Sequence, residues 1–284
     1  MHLLRSGPAG AEKPGLLYPG WSGRIRDLSG IIPDLGPQTL DDGTMDRLRA
    51  VDPETLPVVD ANPRLGPCVA GVGRIIGVGL RHRRHAGGPG RPVPDEPVLF
   101  PTSPNAPCGS NDDLVLPPGT APMAWGCQLG VVIGRTGHYL EVGQALHHVA
   151  GYCVINDVTG RVQQATPGGQ WTRGRAADTF AALGPWLVTR DAVPEPRALH
   201  PWSEVNGRRC QDGATARMVF DLPYLVAWAS QAMTLIPGDV IAIGTAAGGG
   251  LAQDPPVLLQ PGDELCVGIE GLGRQVRRVV VRRG

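Results

Sequence analysis

Turn-forming residues divide this chain into short pieces, and that division constrains the fold more than any other feature of the sequence. Of the 284 residues, 41 are glycine and 29 are proline, together about a quarter of the chain. A share this high approaches the level of low-complexity sequences. Here, however, the glycines and prolines follow no period and alternate with short apolar runs. This pattern is typical of a strand-rich protein with many turns.

Runs rich in Val and Ile, bounded by Gly, Pro or Asp, predict β-strands through most of the chain. Apolar residues at helical spacing predict one clear helix over 222–233. Asp41 and Asp42 are candidate caps for a short helix that ends near residue 50, and a second short helix is predicted over 142–149. We expect a mainly β protein with a few helices, in the α+β class. The predicted strands are 75–80, 98–100, 129–133, 149–155, 186–189, 218–220, 240–243, 264–269 and 275–281.

Charge composition excludes several classes of function. The chain carries 26 acidic and 26 basic residues, so no global charge favours nucleic acid or an anionic membrane. Lys13 is the single lysine. Schiff-base chemistry is therefore nearly excluded, because it needs a titratable amine. We expect a small-molecule substrate, with no nucleic-acid or membrane partner.

Six scattered cysteines and the start of the chain bear on its compartment. No two cysteines stand at the spacing of metal ligands. No apolar stretch approaches the roughly 20 residues of a membrane span. Gly7 and Pro8 come before any apolar run of signal-peptide length. We therefore expect reduced thiols and a cytoplasmic protein.

A series of short motifs follows one order along the chain. They are Gly79-Leu80, His85-Ala86, Pro94-Asp95-Glu96-Pro97, Leu129-Gly130-Val131, Asn156-Asp157-Val158, Gly168-Gly169-Gln170-Trp171, Gly184-Pro185-Trp186, Val205-Asn206-Gly207, Pro237-Gly238-Asp239, Gly244-Thr245 and Glu270-Gly271-Leu272-Gly273. Each motif alone is weak. Their order and spacing resemble the fumarylacetoacetate hydrolase superfamily over essentially the whole chain.

The resemblance implies a mixed β-roll over residues 71–284, of the family's C-terminal type, after a small N-terminal domain and linker over 1–70. It also implies a cytosolic homodimer that cuts, hydrates or decarboxylates 2-oxo acids and β-diketones. In the family, a Mg²⁺ or Mn²⁺ ion binds the dicarbonyl and stabilises an enolate by polarising the carbonyl oxygen.

The metal ligands that the resemblance implies are only partly present. In the family, two Glu at Glu-x-Glu spacing and an Asp in Asn-Asp-Val hold the ion. Here the two Glu positions are Gly126, which has no ligand atom, and Gln128, which has a neutral carbonyl. Asp157 is the one carboxylate retained. We predict no metal cofactor, with weak Mg²⁺ or Mn²⁺ binding through Asp157 only if the site is rebuilt; the alternative for Asp157 is a hydrogen-bonded turn residue.

A basic, glycine-rich loop carries the second departure. The family pairs a His with a nearby Glu to activate water. His85 matches the His, but Gly87-Gly88-Pro89 stands where the Glu would follow. His85 alone can shuttle protons, since imidazole titrates near ~6.5; the alternative is a solvated loop residue. Arg81 replaces a neutral family residue, so the loop is either a solvated lid or a clamp for an anionic substrate.

Arg175 is the third departure. The family has Gly-Lys after Gly-Gln-Trp, beside metal and substrate, and here the match is Gly174-Arg175. Arginine keeps charge and donors but does not exchange protons near neutrality. It can hold an oxyanion in place of a metal, or form a structural salt bridge. Substrate contacts are also predicted for Gln128, Arg161, Gln164, Gly244 and Thr245; a plain turn is the alternative for the last two.

Three hypotheses follow from these departures. The first is a repurposed, metal-independent enzyme that acts on an enolisable dicarbonyl or 2-oxo acid-like molecule. It would work by enolate stabilisation and proton shuttling, as an isomerase, lyase or cyclase, with secondary metabolism as one setting. The second is a Mg²⁺-dependent C–C hydrolase, decarboxylase or hydratase with a rebuilt site. The third is a non-catalytic ligand-binding homologue, since a fold alone does not guarantee chemistry.

Overall fold

A computed structural model describes residues 1–17, 23–59, 62–79, 95–118, 123–160, 163–164, 170–244 and 257–282. These residues form sixteen strands, two α-helices and short 3₁₀ turns. The α-helices are α1 (Asp42–Ala50) and α2 (Leu222–Ala232). The strands are β1 (His2–Ser6), β2 (Lys13–Leu17), β3 (Ile25–Asp27), β4 (Ile75–Gly79), β5 (Val98–Thr102), β6 (Pro107–Cys108), β7 (Leu114–Leu116), β8 (Met123–Ile133), β9 (Val149–Gly160), β10 (Ala181–Leu183), β11 (Leu187–Thr189), β12 (Pro201–Val205), β13 (Arg208–Asp212), β14 (Val240–Ile243), β15 (Glu264–Ile269) and β16 (Gly273–Val281).

Two mixed sheets contain all of these strands. The larger has eleven strands in the order β3-β2-β1-β11-β9-β8-β14-β4-β5, with β10 and β6 attached beside β9. The smaller has five, in the order β13-β12-β15-β16-β7. Most neighbours are antiparallel, while β4 with β14, β6 with β10 and β7 with β16 are parallel. The predicted class, mainly β with a few helices, is confirmed.

The long strands β8 and β9 form the centre of the molecule. They are paired antiparallel along nearly their whole length, and every residue of both is buried. The smaller sheet covers one face of β8, where the backbone N–H of Cys127 donates to Gln211 Oε1 at 3.0 Å and Cys127 Sγ lies 3.3 Å from Gly268 O. Burial on both faces explains why these strands lack alternation between apolar and polar residues.

The first strands extend the same sheet as the core. Leu3 pairs with Leu187, so β1 joins β11. Strand β2 then pairs with β1, and β3 pairs with β2 at the edge of the sheet. Arg64 links the beginning of the chain to later residues through ion pairs with Glu12 at 2.8 Å and Asp112 at 2.6 Å. The domain boundary at residue 70 remains a prediction, and the sheet itself is continuous across it.

Local sequence signals located the two α-helices well. The side chain of Asp41 accepts from the N–H of Thr44 at 2.9 Å and caps α1. Asp221 caps α2 in the same way, accepting from Tyr224 at 3.1 Å. Among the described residues, no helix is long and apolar enough to cross a membrane.

One element prediction was wrong in type, and a second was right in position but takes the 3₁₀ form. Residues 218–220 are not a strand: Met218 forms an isolated bridge, and the chain bends before the Asp221 cap begins the helix. The predicted helix over 142–149 is a 3₁₀ helix (Val142–His148) that leads directly into β9. In the first 27 residues, moreover, the structure has three strands that sequence patterns did not predict.

The junction of β9 with β11 offers a test of the fold. A Cβ atom at Gly151 would lie 2.3 Å from the carbonyl oxygen of Val188 and 3.0 Å from Leu187 Cδ1. We expect Gly151→Ala to lower the free energy of unfolding by about 1–3 kcal/mol, because overpacking must displace backbone. Gly143→Ala is the matched control, since a Cβ there meets no atom within 4 Å. Equal urea midpoints for the two variants would contradict the described register.

Candidate functional site

Three of the predicted site positions meet at the pairing of β8 with β9. Gly126 lies directly opposite Asp157 in the register, and Gln128 follows at period two on the same face of β8. Gln128 Nε2 donates to Asp157 Oδ2 at 2.5 Å. Both residues are almost fully buried, with 2% of Gln128 and 9% of Asp157 exposed. The structure therefore brings together the positions that the resemblance assigns to one site.

A short 3₁₀ turn (Arg173–Arg175) places Arg175 on this cluster. Gly174 is packed against the end of β9, where a Cβ atom would lie 2.7 Å from Gly160 O. The N–H of Arg175 donates to Thr172 O at 3.0 Å, which closes the turn. Its guanidinium then reaches Asp157, with Nη1 at 2.5 Å from Oδ1 and 2.6 Å from Oδ2. Glycine before arginine allows this close approach.

An aromatic side chain covers one face of the Arg175 guanidinium. The Phe100 ring centroid lies 4.3 Å from Arg175 Cζ, at cation–π distance. Phe100 is held by Gly77 on the neighbouring strand β4, where an added Cβ would approach the ring to 2.1 Å. Trp171, with 43% of its surface exposed, packs against Phe100 at 5.4 Å between ring centroids. Gly77 therefore makes room for the ring that orients the arginine.

The cluster closes one end of a narrow crevice, whose described walls leave no space large enough for a water molecule. Strands β4, β5, β8, β9, β10 and β14 supply most of its wall, and the turn supplies Arg175. The lining contains both polar and apolar residues. The lining residues are Ile75, Gly77, Phe100, Thr102, Gln128, Ile155, Asp157, Arg175, Ala181 and Ala242.

These residues do not fit the divalent metal site that the resemblance implies. Such a site needs several oxygen ligands with negative charge. Within the part of the chain that the structure describes, no group of three His, Cys, Asp or Glu could hold a metal ion. Both oxygens of Asp157 already accept hydrogen bonds from Arg175, and one also accepts from Gln128. The Arg175 guanidinium therefore already engages the Asp157 oxygens that a bound metal ion would need.

The other predicted site residues differ in what can be said of them. Gln164 is buried beside the turn, its Cβ 3.1 Å from where a Cβ of Gly174 would lie. Gly244 follows β14 with φ at +84°, a conformation that favours glycine. It is two residues from Ala242 in the pocket wall. The predicted residues Arg81, His85, Arg161 and Thr245 lie outside the described residues.

Sequence reasoning assigned no role to Phe100 or Gly77. Phe100 stood at the end of the predicted strand 98–100, and Gly77 stood in the predicted strand 75–80. The signal that could have found them is their pairing: Gly77 lies directly opposite Phe100 between β4 and β5. That register is not evident before the two strands are known to be neighbours.

A family model described as "Fumarylacetoacetate (FAA) hydrolase C-terminal" matches residues 74–280. A protein of Burkholderia cenocepacia (strain HI2424), named only "Putative hydrolase", is 50% identical over 279 residues, covering 98% of each chain.

Two solved structures resemble the whole chain. The fumarylacetoacetate hydrolase of Exiguobacterium antarcticum is 31% identical with a TM-score of 0.84, over 99% of this chain and 100% of that one. The 5-carboxymethyl-2-hydroxymuconate delta-isomerase of Mycobacterium smegmatis is 29% identical with a TM-score of 0.77, over 100% of both chains.

The buried ion pair can be tested by a double-mutant cycle. Only 9% of the Arg175 side chain and 11% of the Asp157 side chain are exposed. Arg175→Met or Asp157→Leu alone should cost about 3–5 kcal/mol in the free energy of unfolding, because each leaves an uncompensated buried charge. The double variant should recover most of that loss. The measurement is urea unfolding followed by circular dichroism.

The exposed pair Arg49–Asp46, with side chains 38% and 74% exposed, is the control for this cycle. Its coupling energy should stay below about 1 kcal/mol. A coupling between residues 157 and 175 no larger than this would show that the buried pair does not persist in solution.

Proposed function

Because the chain belongs to the fumarylacetoacetate hydrolase family, we propose that it is a metal-independent enzyme that acts on an enolisable dicarbonyl or 2-oxo acid-like small molecule. One observation carries the proposal. The Arg175 guanidinium, which contacts both Asp157 and Phe100, is a fixed positive group among the residues that line the pocket.

Arg175 supplies the stabilisation that such a reaction needs. A guanidinium stays protonated at all working pH values, so its N–H donors are present throughout the reaction. When a proton leaves the carbon next to a carbonyl, negative charge develops on the carbonyl oxygen. Donors already oriented toward that oxygen stabilise the enolate more than the ground state, and this lowers the barrier.

Asp157 acts on the substrate through Arg175. Both of its oxygens are engaged by donors, so the carboxylate is better suited to orienting the guanidinium than to removing a proton. Gln128 fixes the orientation of that carboxylate from the neighbouring strand. The proton itself needs a titratable carrier, and we propose His85 for this role. The resemblance to the family also assigns substrate contacts to five further residues, and we propose that role for them. They are Arg81, Arg161, Gln164, Gly244 and Thr245.

The reaction class follows from what this set of residues provides. Enolate stabilisation and proton transfer suffice for isomerisation, elimination or ring closure, whereas hydrolysis also needs an activated water. A delta-isomerase among the similar structures is consistent with the first group. The hydrolase name of the relative favours the second candidate function, a metal-dependent hydrolase. We further propose a cytoplasmic homodimer, which rests on the resemblance to the family.

The test compares two substrates taken from the similar structures, with and without metal. Chelator-treated protein, checked by metal analysis, is assayed with 5-carboxymethyl-2-hydroxymuconate for isomerisation and with fumarylacetoacetate for hydrolysis. We expect isomerisation of the first compound, or of a related enol, at a rate that Mg²⁺ and Mn²⁺ leave unchanged. Arg175→Gln should lower kcat by about 10²–10³-fold, because a donor to the developing oxyanion is removed.

Arg173→Gln is the matched control. Arg173 lies in the same 3₁₀ turn but is exposed, so its loss should leave kcat unchanged. If the stripped protein is inactive and Mg²⁺ or Mn²⁺ restores turnover, the metal-independent mechanism is wrong and the second candidate takes its place.

A further inference from the structure

The crevice beside Arg175 is closed in the described structure. Its described walls leave no space for a water molecule, although Arg175 and Asp157 lie among the lining residues. A substrate that reaches the guanidinium must therefore displace part of the wall. Backbone in a packed sheet moves little, whereas single side chains do change rotamer. The part of the wall that moves is thus expected to be one side chain.

Phe100 lies at the boundary between the crevice and the surface. Thr102, Phe100 and Val98 follow one another at period two on the same face of β5. Thr102 is buried in the crevice wall, and Val98 is exposed. The Phe100 ring lies between them, and the exposed Trp171 packs against it. Phe100 therefore separates the buried part of this row from its exposed end.

The contacts of the Phe100 ring allow it to move without a shift of the backbone. A Cβ at Gly77 would lie 2.1 Å from Cε2 of the ring, and a Cβ at Gly79 would lie 3.5 Å from Cε1. These two glycines of β4 present only backbone to the ring, so no side chain holds it there. Its other described polar neighbour is the guanidinium of Arg175, 4.3 Å from the ring centroid. Rotation of the Phe100 side chain would uncover that guanidinium and free the volume of a ring.

We propose that Phe100 is the gate of this crevice: its ring covers Arg175 in the closed state that the structure shows, and it rotates away from Gly77 to admit a substrate. The gate rests on the proposed function in that it serves the same site. It controls access and takes no part in proton transfer. Breaking a desolvated cation–π contact disfavours the open state by about tenfold or more, so the closed state predominates without ligand.

The experiment measures how often the guanidinium of Arg175 is uncovered. Methylglyoxal, a small dicarbonyl that condenses with accessible guanidinium groups, is added in excess to metal-free protein. Mass spectrometry of peptides follows the modified fraction of Arg175 over time. Arg173, exposed in the same 3₁₀ turn, is the internal reference. We expect Arg175 to react about tenfold or more slowly than Arg173, and equal rates would show that no gate is closed.

Removal of the ring should open the crevice. Phe100→Ala is expected to raise the rate at Arg175 by about tenfold or more and to leave Arg173 unchanged. Ile76→Ala is the matched control, because Ile76 is buried next to Gly77 but lies on the opposite face of β4. Its loss weakens the same strand without uncovering the guanidinium. If both variants accelerate the modification of Arg175 equally, local unfolding explains the result and the gate is rejected.

A second variant displaces the ring without removing it. In Gly77→Ala, the added Cβ takes the space of the far end of the Phe100 side chain, so the ring must leave its closed position. The rate at Arg175 should rise by about tenfold here as well. An unchanged rate would overturn the gate, and this variant decides the question if Phe100→Ala does not fold.

The labelling result separates from that of the proposed function, because it needs neither substrate nor turnover. Slow labelling that Phe100→Ala accelerates, together with metal-dependent turnover, would retain the gate and reject the metal-independent mechanism. Metal-free turnover with Arg175 labelled as fast as Arg173 would reject the gate alone.

Discussion

The antiparallel pairing of β8 with β9 is the constraint on which the site depends. It sets Gly126 opposite Asp157 and places Gln128 within hydrogen-bond distance of the same carboxylate. A shift of one residue in this register would turn Gln128 to the other face of the sheet. The pairing is secured by complete burial of both strands and by the smaller sheet behind β8. The geometry of the polar cluster is thus fixed by the most buried part of the fold.

Within that frame, a side chain carries the positive charge that the resemblance assigns to an ion. The change is consistent across the site. Two carboxylate positions hold Gly126 and Gln128, the remaining Asp157 is neutralised by Arg175, and Phe100 covers the guanidinium. A buried carboxylate without a cation would be costly, as would a buried guanidinium without an anion. The two charges therefore support each other, and neither residue can be explained alone.

Sequence predicted the parts of this arrangement that depend on residues close together in the chain, and missed those that depend on contacts between distant residues. The cap at Asp41 and the apolar spacing over 222–233 are local signals, so the two α-helices were predicted closely. Asp157, Gln128 and Arg175 came from motifs and were indeed found together. Strand β1 was not predicted, because its pairing of Leu3 with Leu187 joins distant parts of the chain. The role of Phe100 likewise depends on Gly77, which lies opposite it because β4 pairs with β5 in the sheet.

A built-in guanidinium limits the chemistry differently from a metal ion. A divalent ion offers several open positions and can hold both a substrate oxygen and a water. The N–H donors of Arg175 lie in one plane. Nη1 is already bonded to Asp157, and Phe100 covers one face of the guanidinium. What is left can serve a single planar oxygen pair. Such a site can stabilise charge that develops on one conjugated group, but it has no second position from which to activate water. Reactions that move a proton along a conjugated substrate suit this arrangement better than hydrolysis does, and a hydrolase built on it would need its water activated by residues outside the cluster.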